Sequence, residues 1–298
     1  MTEKTKSGRI LKGIGGFYYV DTDIGVITCR ARGKFRKLGV IPYVGDIVDI
    51  SLRNDSEGYL LDIHERKNIM IRPPISNIDA IAIVISKAPP RTDTYFIDKI
   101  CAMSVLKGIE VAVVINKCDE DNGNEFFDIY KEAGVQVFRV SAKRKEGIDE
   151  FCVFLNGKLT ALTGNSGVGK STLINAVFPT AQLETGEIND KIGRGRHTTR
   201  QVEILKPSEQ MWIADTPGFS AFDIISKNEV NRDNLAVLFP DFSEFKDNCR
   251  FTGCSHTKED GCAVIQAVEE KQINRSRYES YLKMYEELEK VNNYKQKR

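Results

Sequence analysis

Gly164-Asn165-Ser166-Gly167-Val168-Gly169-Lys170-Ser171 follows the apolar run 158–163 and opens the run 171–178, Ser-Thr-Leu-Ile-Asn-Ala-Val-Phe. The pattern G-x-x-x-x-G-K-[ST], with a strand-like flank before it and a helix-like flank after it, predicts a phosphate-cradling turn. Its glycines let successive N–H groups point at phosphate oxygens at a helix N-terminus. Lys170 adds a charge on the β- and γ-phosphates, and the Ser171 hydroxyl falls where Mg²⁺ is held. Thr172 continues the first helical turn and is counted with residues 164–171 in the phosphate site. A glycine-rich turn without ligand is the bland alternative, and the two flanks weigh against it.

The motif requires a mostly parallel sheet covered by helices on both faces. Six runs qualify as its strands: residues 78–86, 110–116, 135–141, 158–163, 201–206 and 211–215. Downstream, Asp215-Thr216-Pro217-Gly218 closes the last of these, placing a carboxylate for Mg²⁺ at Asp215 and an amide that senses the γ-phosphate at Gly218. Between the two motifs lies the glycine-rich segment Gly193-Arg194-Gly195-Arg196-His197-Thr198-Thr199-Arg200. Thr199 is the candidate to complete the Mg²⁺ shell when triphosphate is bound, which would make the segment an order–disorder switch. A solvated loop hydroxyl is the other reading.

Upstream, Asn116-Lys117-Cys118-Asp119 and Ser141-Ala142-Lys143 each follow a strand-like run. An N-K-x-D loop selects guanine because the Asp119 carboxylate accepts from the ring N–H and the exocyclic amine, a donor pair that adenine lacks. The Lys117 stem packs on the ring, and an amide of the 141–143 loop donates to the guanine carbonyl. ATP would leave Asp119 unpaired, costing about 1–3 kcal/mol.

The order of these motifs matters: base readers first, then the phosphate turn, the threonine segment and D-x-x-G. An ordinary small GTPase has the phosphate turn first and the base readers last, so the same strands are here circularly permuted, cut after the D-x-x-G element. Such a cut is tolerated where termini lie close at the surface. The segment after residue 218 then runs straight into the C-terminal region. Residue 219, where a water-orienting glutamine would stand in Ras-like proteins, is Phe219, whose ring cannot hydrogen-bond water. His197 is the nearest candidate in sequence to orient or deprotonate that water, as neutral imidazole can near pH 7. A loop histidine contacting phosphate or RNA is the alternative.

Around this core the composition changes twice. Residues 1–68 carry short β-branched and aromatic runs at roughly ten-residue intervals between turn residues, which predicts a small OB-like barrel. Arg72-Pro73-Pro74 breaks that pattern, so the second domain is set at 69–222 and the third at 223–298. In the third, Cys249-x4-Cys254-x-His256-x5-Cys262 offers three thiolates and an imidazole, a closed shell for one structural Zn²⁺. Buried structural cysteines are the alternative. Tyr278, Leu282, Tyr285, Leu288 and Val291 recur at helical spacing, as on one buried face.

Arg30, Arg32, Lys34, Arg36 and Lys37, interleaved with Phe35, form a basic run at the end of a barrel strand. Charge plus aromatic stacking there would suit single-stranded nucleic acid, and a solvated charged loop is the equal alternative. Arg275, Arg277 and Lys295–Arg298 form a second basic zone. The whole chain has 43 Lys and Arg against 42 Asp and Glu, which excludes a uniformly basic protein. With 41% hydrophobic residues the 298-residue chain is no disordered polymer, and no apolar stretch reaches the eighteen or so residues of a membrane span. The polar N-terminus carries no secretory pattern, so a cytoplasmic, membrane-free protein is expected.

Taken together, the permuted motif order, the β-rich N-terminal region, the Arg-Pro-Pro linker and the Cys/His cluster resemble the ribosome small-subunit-dependent GTPase A (RsgA) family over nearly the whole chain. The resemblance implies three domains: an OB-fold barrel, a permuted α/β GTPase domain and a mainly helical zinc domain. It further implies GTP as substrate and GDP as product, Mg²⁺, a monomer that binds the small (30S) ribosomal subunit and its rRNA late in maturation, and release after hydrolysis. It points to His197 as the water-handling residue.

Overall fold

The structure, a computed structural model, describes residues 5–71, 73–88, 92–178, 202–215 and 230–295. His197, Thr199 and Gly218 lie outside the described residues, as does the side chain of Asp215.

Five strands form the N-terminal barrel: β1 (Thr5–Ile14), β2 (Phe17–Thr22), β3 (Gly25–Ala31), β4 (Ile47–Leu52) and β5 (Glu57–Ile63), with the short helix α1 (Gly33–Lys37) between β3 and β4. The strand order is β1-β2-β3-β5-β4, and β1 pairs with β4 to close the barrel. The first hairpin turns at Gly15 and Gly16, both at positive φ (59° and 84°), as a tight turn matched to strand twist demands. Ile10, Val20, Ile27, Cys29, Phe35, Val48, Ile50 and Leu60 fill the interior. Burying each large apolar side chain contributes about 1.5–3 kcal/mol.

Phe35 corrects one expectation. It leaves α1 inward and is only 4% exposed, so it is not a stacking platform. The exposed Arg30 and the half-buried Arg32 lie over Phe17 and Tyr59, at 4.5 and 5.7 Å from the ring centroids, and Lys34 Nζ lies 5.4 Å from the Phe35 centroid. The barrel's exit is clamped by the buried Asp46. Its carboxylate accepts from Arg66 Nε and Nη2, both at 2.7 Å, from Ser76 Oγ at 2.6 Å and from the Tyr43 amide at 2.7 Å. A small hairpin, β6 (Ile69–Ile71) with β7 (Pro74–Ser76), follows.

The remaining elements are β8 (Ala80–Ile85), α2 (Thr94–Lys107), β9 (Glu110–Ile115), α3 (Asn124–Glu132), β10 (Gln136–Arg139), α4 (Ile148–Leu155), β11 (Leu159–Thr163), α5 (Lys170–Val177), β12 (Glu203–Ser208), β13 (Met211–Asp215), α6 (Ala263–Glu269) and α7 (Arg275–Lys295). Every residue of β8 is buried, as a strand covered on both faces should be. Helix α2 starts where the Asp93 carboxylate accepts from the Tyr95 amide and stops at Gly108.

The chain divides into two compact units: Met1–Ile81 with Phe151–Thr163 and Ile174–Phe219, and Ala82–Glu150 with Gly164–Leu173 and Ser220–Arg298. In the first, the barrel sheet continues through β1 to β12, β13 and β11. In the second, β10, β9 and β8 lie side by side. β10 runs parallel to β9, and β11 parallel to β13, as expected. β12 does not: it is antiparallel to β13, because only residues 209 and 210 join the two, and a parallel crossover needs a dozen or more residues.

Helix α7 corrects two expectations. Its buried face carries Arg277, Ser280, Tyr281, Met284 and Leu288, offset from the face the apolar spacing suggested. Arg277, expected in a basic RNA-facing zone, is 1% exposed. Its Nη1 donates to Asp98 Oδ1 of α2 at 2.6 Å, and its Nη2 and Nε donate to Asp241 at 2.8 and 3.2 Å. Two carboxylates outweigh burial and hold the guanidinium's pKa above its ordinary value.

Candidate functional site

The loop between β11 and α5 is drawn tight by contacts that exclude any side chain at two of its positions. Gly164 has φ 146°, and a Cβ there would fall 2.1 Å from the Val84 carbonyl oxygen. Gly169 has φ 91°, and a Cβ there would fall 2.4 Å from Asn116 Nδ2. Within the loop, Lys170 Nζ donates to the carbonyls of Gly164 (2.7 Å) and Asn165 (2.9 Å). For an ammonium, an anionic phosphate is a stronger partner than a neutral carbonyl. Ser171 and Thr172 fall in the first turn of α5.

Asn116 ties the three loops together. It is 2% exposed. Its Nδ2 donates to the Val168 carbonyl at 2.9 Å and to the Gly169 carbonyl at 3.4 Å, while its Oδ1 accepts from the Ala142 amide at 3.0 Å. One amide side chain, offering donors and an acceptor together, thus joins the phosphate turn to both base-reading loops. Val168 itself is fully buried.

Lys117 takes a left-handed turn (φ 64°) that reverses the chain after β9. Two residues on, Asp119 Oδ1 accepts from Ser141 Oγ at 2.7 Å, and Ser141 Oγ accepts in turn from the Arg144 amide at 3.2 Å. The Ser141 hydrogen bond, helped by the charges of Arg144 and Lys143, outweighs burial and keeps the Asp119 carboxyl below its ordinary pKa. Asp119 is therefore ionised near neutrality and oriented by Ser141. Arg144, with Nε 4.0 Å from Asp119 Oδ2, was not foreseen; its position directly after Lys143 was the available signal.

Asp215 closes β13, with its Cα opposite Glu203 of β12. Strand geometry thus sets its backbone.

In the C-terminal region, ligand atoms of Cys249, Cys254, His256 and Cys262 all lie within 4.8 Å of one another. Cys249 Sγ is 3.8 Å from Cys262 Sγ, and His256 Nδ1 is 3.5 and 3.4 Å from those two sulfurs. A tetrahedral Zn²⁺ with ordinary bond lengths has edges of about 3.8 Å between sulfurs and about 3.6 Å between sulfur and nitrogen. The donors fit that ion, with Nδ1 as the histidine's contribution. Burial holds the imidazole pKa below its usual value and so keeps it neutral, the form that ligates. Burial, together with hydrogen bonds to Cys262 and Cys249, pushes the Cys254 thiol up to about 12, a resistance to ionisation that a divalent cation would reverse.

Around the cluster, Ala263 N–H donates to Cys249 Sγ at 3.4 Å. Glu259 braces the ligand loop: Oε1 accepts from the Ser255 amide at 2.8 Å and from the Ser255 hydroxyl, and Oε2 accepts from the amides of Thr257 (3.0 Å) and Lys258 (3.1 Å). Burial alone would raise the Glu259 pKa, but these bonds prevail and lower it to about 2. Helix α7 grips the same loop, as Tyr278 and Tyr281 donate to the carbonyls of His256 (3.0 Å) and Ser255 (2.7 Å).

A phosphate turn whose base-reading loops precede it on a partly parallel sheet, flanked by a barrel and a Cys/His cluster, defines a circularly permuted GTPase. Residues 63–225 match the family model described as RsgA GTPase, and residues 7–60 match the RsgA N-terminal domain. The chain belongs to the RsgA GTPase family. It is 44% identical over 284 residues to the small ribosomal subunit biogenesis GTPase RsgA of Caldanaerobacter subterraneus, spanning 94% of this chain and 95% of that protein. It is equally similar, at 44% over 285 residues, to the protein of the same name in Streptococcus pneumoniae, covering 95% and 94%. Among solved structures, YloQ, a circularly permuted GTPase, superposes with a TM-score of 0.79 at 34% identity, covering 97% of this chain and 96% of YloQ. YjeQ of Thermotoga maritima gives 0.79 at 31%, covering 96% and 99%. No helix among the described residues is long and apolar enough to cross a membrane.

Proposed function

We propose that the chain hydrolyses GTP as a timer in late maturation of the small ribosomal subunit. It would bind that subunit and its rRNA as a cytoplasmic monomer, be stimulated by it, and leave after hydrolysis. The observation that carries this reading is Asn116, whose one side chain holds the 164–169 turn, the 116–119 loop and the 141–143 loop in a single arrangement. The names of the relatives supply the partner.

In this reading Asp119 accepts from the guanine edge, Ser141 keeps it aimed, Lys117 packs on the ring, and an amide of Ala142 or Lys143 meets the guanine carbonyl. Backbone amides of residues 165–169 and the first turn of α5 surround the phosphates. Lys170 exchanges its two carbonyl partners for phosphate oxygens, so positioning supplies most of the catalysis. Ser171, Thr199 and Asp215 would hold Mg²⁺, which, when bound, offsets charge on the phosphates. Gly218 reports the γ-phosphate. His197 orients or deprotonates the attacking water, because Phe219 cannot. The Cys249, Cys254, His256 and Cys262 set holds one Zn²⁺ in a purely structural role, since four protein ligands leave no position for water.

The deciding measurement is GTP turnover with and without purified small subunits. Expected are slow intrinsic hydrolysis and strong acceleration, lost in His197→Ala at unchanged GTP affinity. Absence of acceleration would point instead to a nucleotide-gated RNA-binding protein whose hydrolysis is incidental. Full stimulation in His197→Ala would remove that residue from the mechanism.

A further inference from the structure

The N-terminal barrel and the strand that ends at Asp215 share one hydrogen-bonded sheet. Strand β1 meets β12 with Lys12 opposite Glu203, and β12 meets β13 with Glu203 opposite Asp215. Lys12, Glu203 and Asp215 therefore occupy one row across three strands. Directly opposite residues of antiparallel strands sit about 4.5–5.5 Å apart at Cβ and interact, and Lys12 Nζ lies 2.8 Å from Glu203 Oε2. Two further cations join barrel strands to β12 and β13. Lys206 Nζ is 3.0 Å from Asp21 Oδ2 of β2, and the Arg9 guanidinium of β1 lies 5.0 Å from the Trp212 ring centroid of β13.

This joint is poorly built for stability alone. The Lys12 and Glu203 side chains are 30% and 49% exposed, and such pairs contribute about 0–1 kcal/mol. Arg9 Nη1 is buried with no hydrogen-bond partner among the described residues, an arrangement that costs about 1–3 kcal/mol. What the joint does provide is continuity between a barrel surface bearing Arg30, Arg32 and Lys34 and the strand that ends in the Mg²⁺ carboxylate.

We propose that Lys12 and Glu203 are positioning residues that couple the N-terminal barrel to the Asp215 end of β13 through the backbone register, so that a ligand on the barrel biases the position of that strand end. By reciprocity, nucleotide and Mg²⁺ binding is felt in β1. The inference rests on the reading of Asp215 as a Mg²⁺ residue.

The test uses the full chain as wild type, Lys12→Glu, Glu203→Lys and the charge-swapped double variant. With Mg²⁺ and a non-hydrolysable GTP analogue, amide hydrogen exchange in the wild type slows in residues 211–215, 203–208 and 9–13. In each single variant the slowing stops short of residues 9–13, and the swap restores it. Small-subunit-stimulated turnover falls about five- to tenfold in each single variant, with intrinsic turnover and nucleotide affinity within about twofold of wild type, and recovers in the swap. Slowing confined to residues 211–215 in the wild type would overturn the coupling. So would unchanged stimulation in both single variants, or a swap that melts like wild type without recovering. Should small subunits fail to stimulate the wild type, the proposed function falls while the exchange measurement still decides the coupling.

Discussion

The nucleotide loops and the C-terminal region are both held by polar contacts, but by different kinds. In the loops, one neutral side chain, Asn116, bonds to main-chain atoms of segments that the motifs already name. In the C-terminal region, side chains bond to side chains far apart in sequence: Arg277 reaches Asp98 across 179 positions and Asp241 across 36. The first arrangement fixes the main chain of three loops relative to one another. The second sets one buried guanidinium between two carboxylates and so fixes the position of α7 against α2.

That contrast is open to attack. Replacing Cys262 by Ala opens the Cys/His shell, and as a structural zinc site is worth about 10–16 kcal/mol in small domains, the variant should lose its one equivalent of zinc and the circular dichroism of α6. Full zinc content by metal analysis would refute the assignment. Next, Arg277→Met leaves Asp98 and Asp241 without a counter-charge, and thermal unfolding should report about 3–5 kcal/mol of lost stability. Adding Asp98→Asn and Asp241→Asn should recover much of it, whereas a neutral single variant would mean that the triad carries no load. Glu259→Gln keeps the shape of the brace but weakens its acceptors, so zinc affinity in a competition titration should drop about 10–100-fold.

On the nucleotide side the effects are smaller and local. Asp119→Ala should shrink the preference for GTP over ATP about 10–100-fold in calorimetry. Ser141→Ala probes the hydrogen bond that lowers the Asp119 pKa. A carboxyl depressed on folding contributes above its ordinary pKa and loses that contribution as pH falls through the depressed one. The stability gap between wild type and Ser141→Ala should therefore be constant near neutrality and close on acidification, and a gap independent of pH would sever the link to Asp119.

Much of this was legible in the sequence, for a physical reason. Phosphate and guanine are bound largely by backbone groups at fixed offsets from strand ends, so contiguous motifs such as 164–171 and 116–119 carry their geometry with them. The Cys/His spacing was readable because a metal shell tolerates few ligand types. Phe35 misled because an aromatic amid cations reads as a stacking surface, while a short helix turned it into the barrel. Arg277 misled because charge in sequence does not reveal its partners, and both lie on other elements. The antiparallel β12 was hidden by a strand pattern that is the same in either direction.

The position of Arg277 has a consequence for how the molecule comes into being. During synthesis Asp98 emerges 179 positions ahead of the arginine it meets in the finished fold. Until that residue arrives, the interior of α2 holds an acidic group with no cation, which favours its protonated form or an open helix. The packing of α2 around Asp98 is therefore completed only once residue 277 has been made.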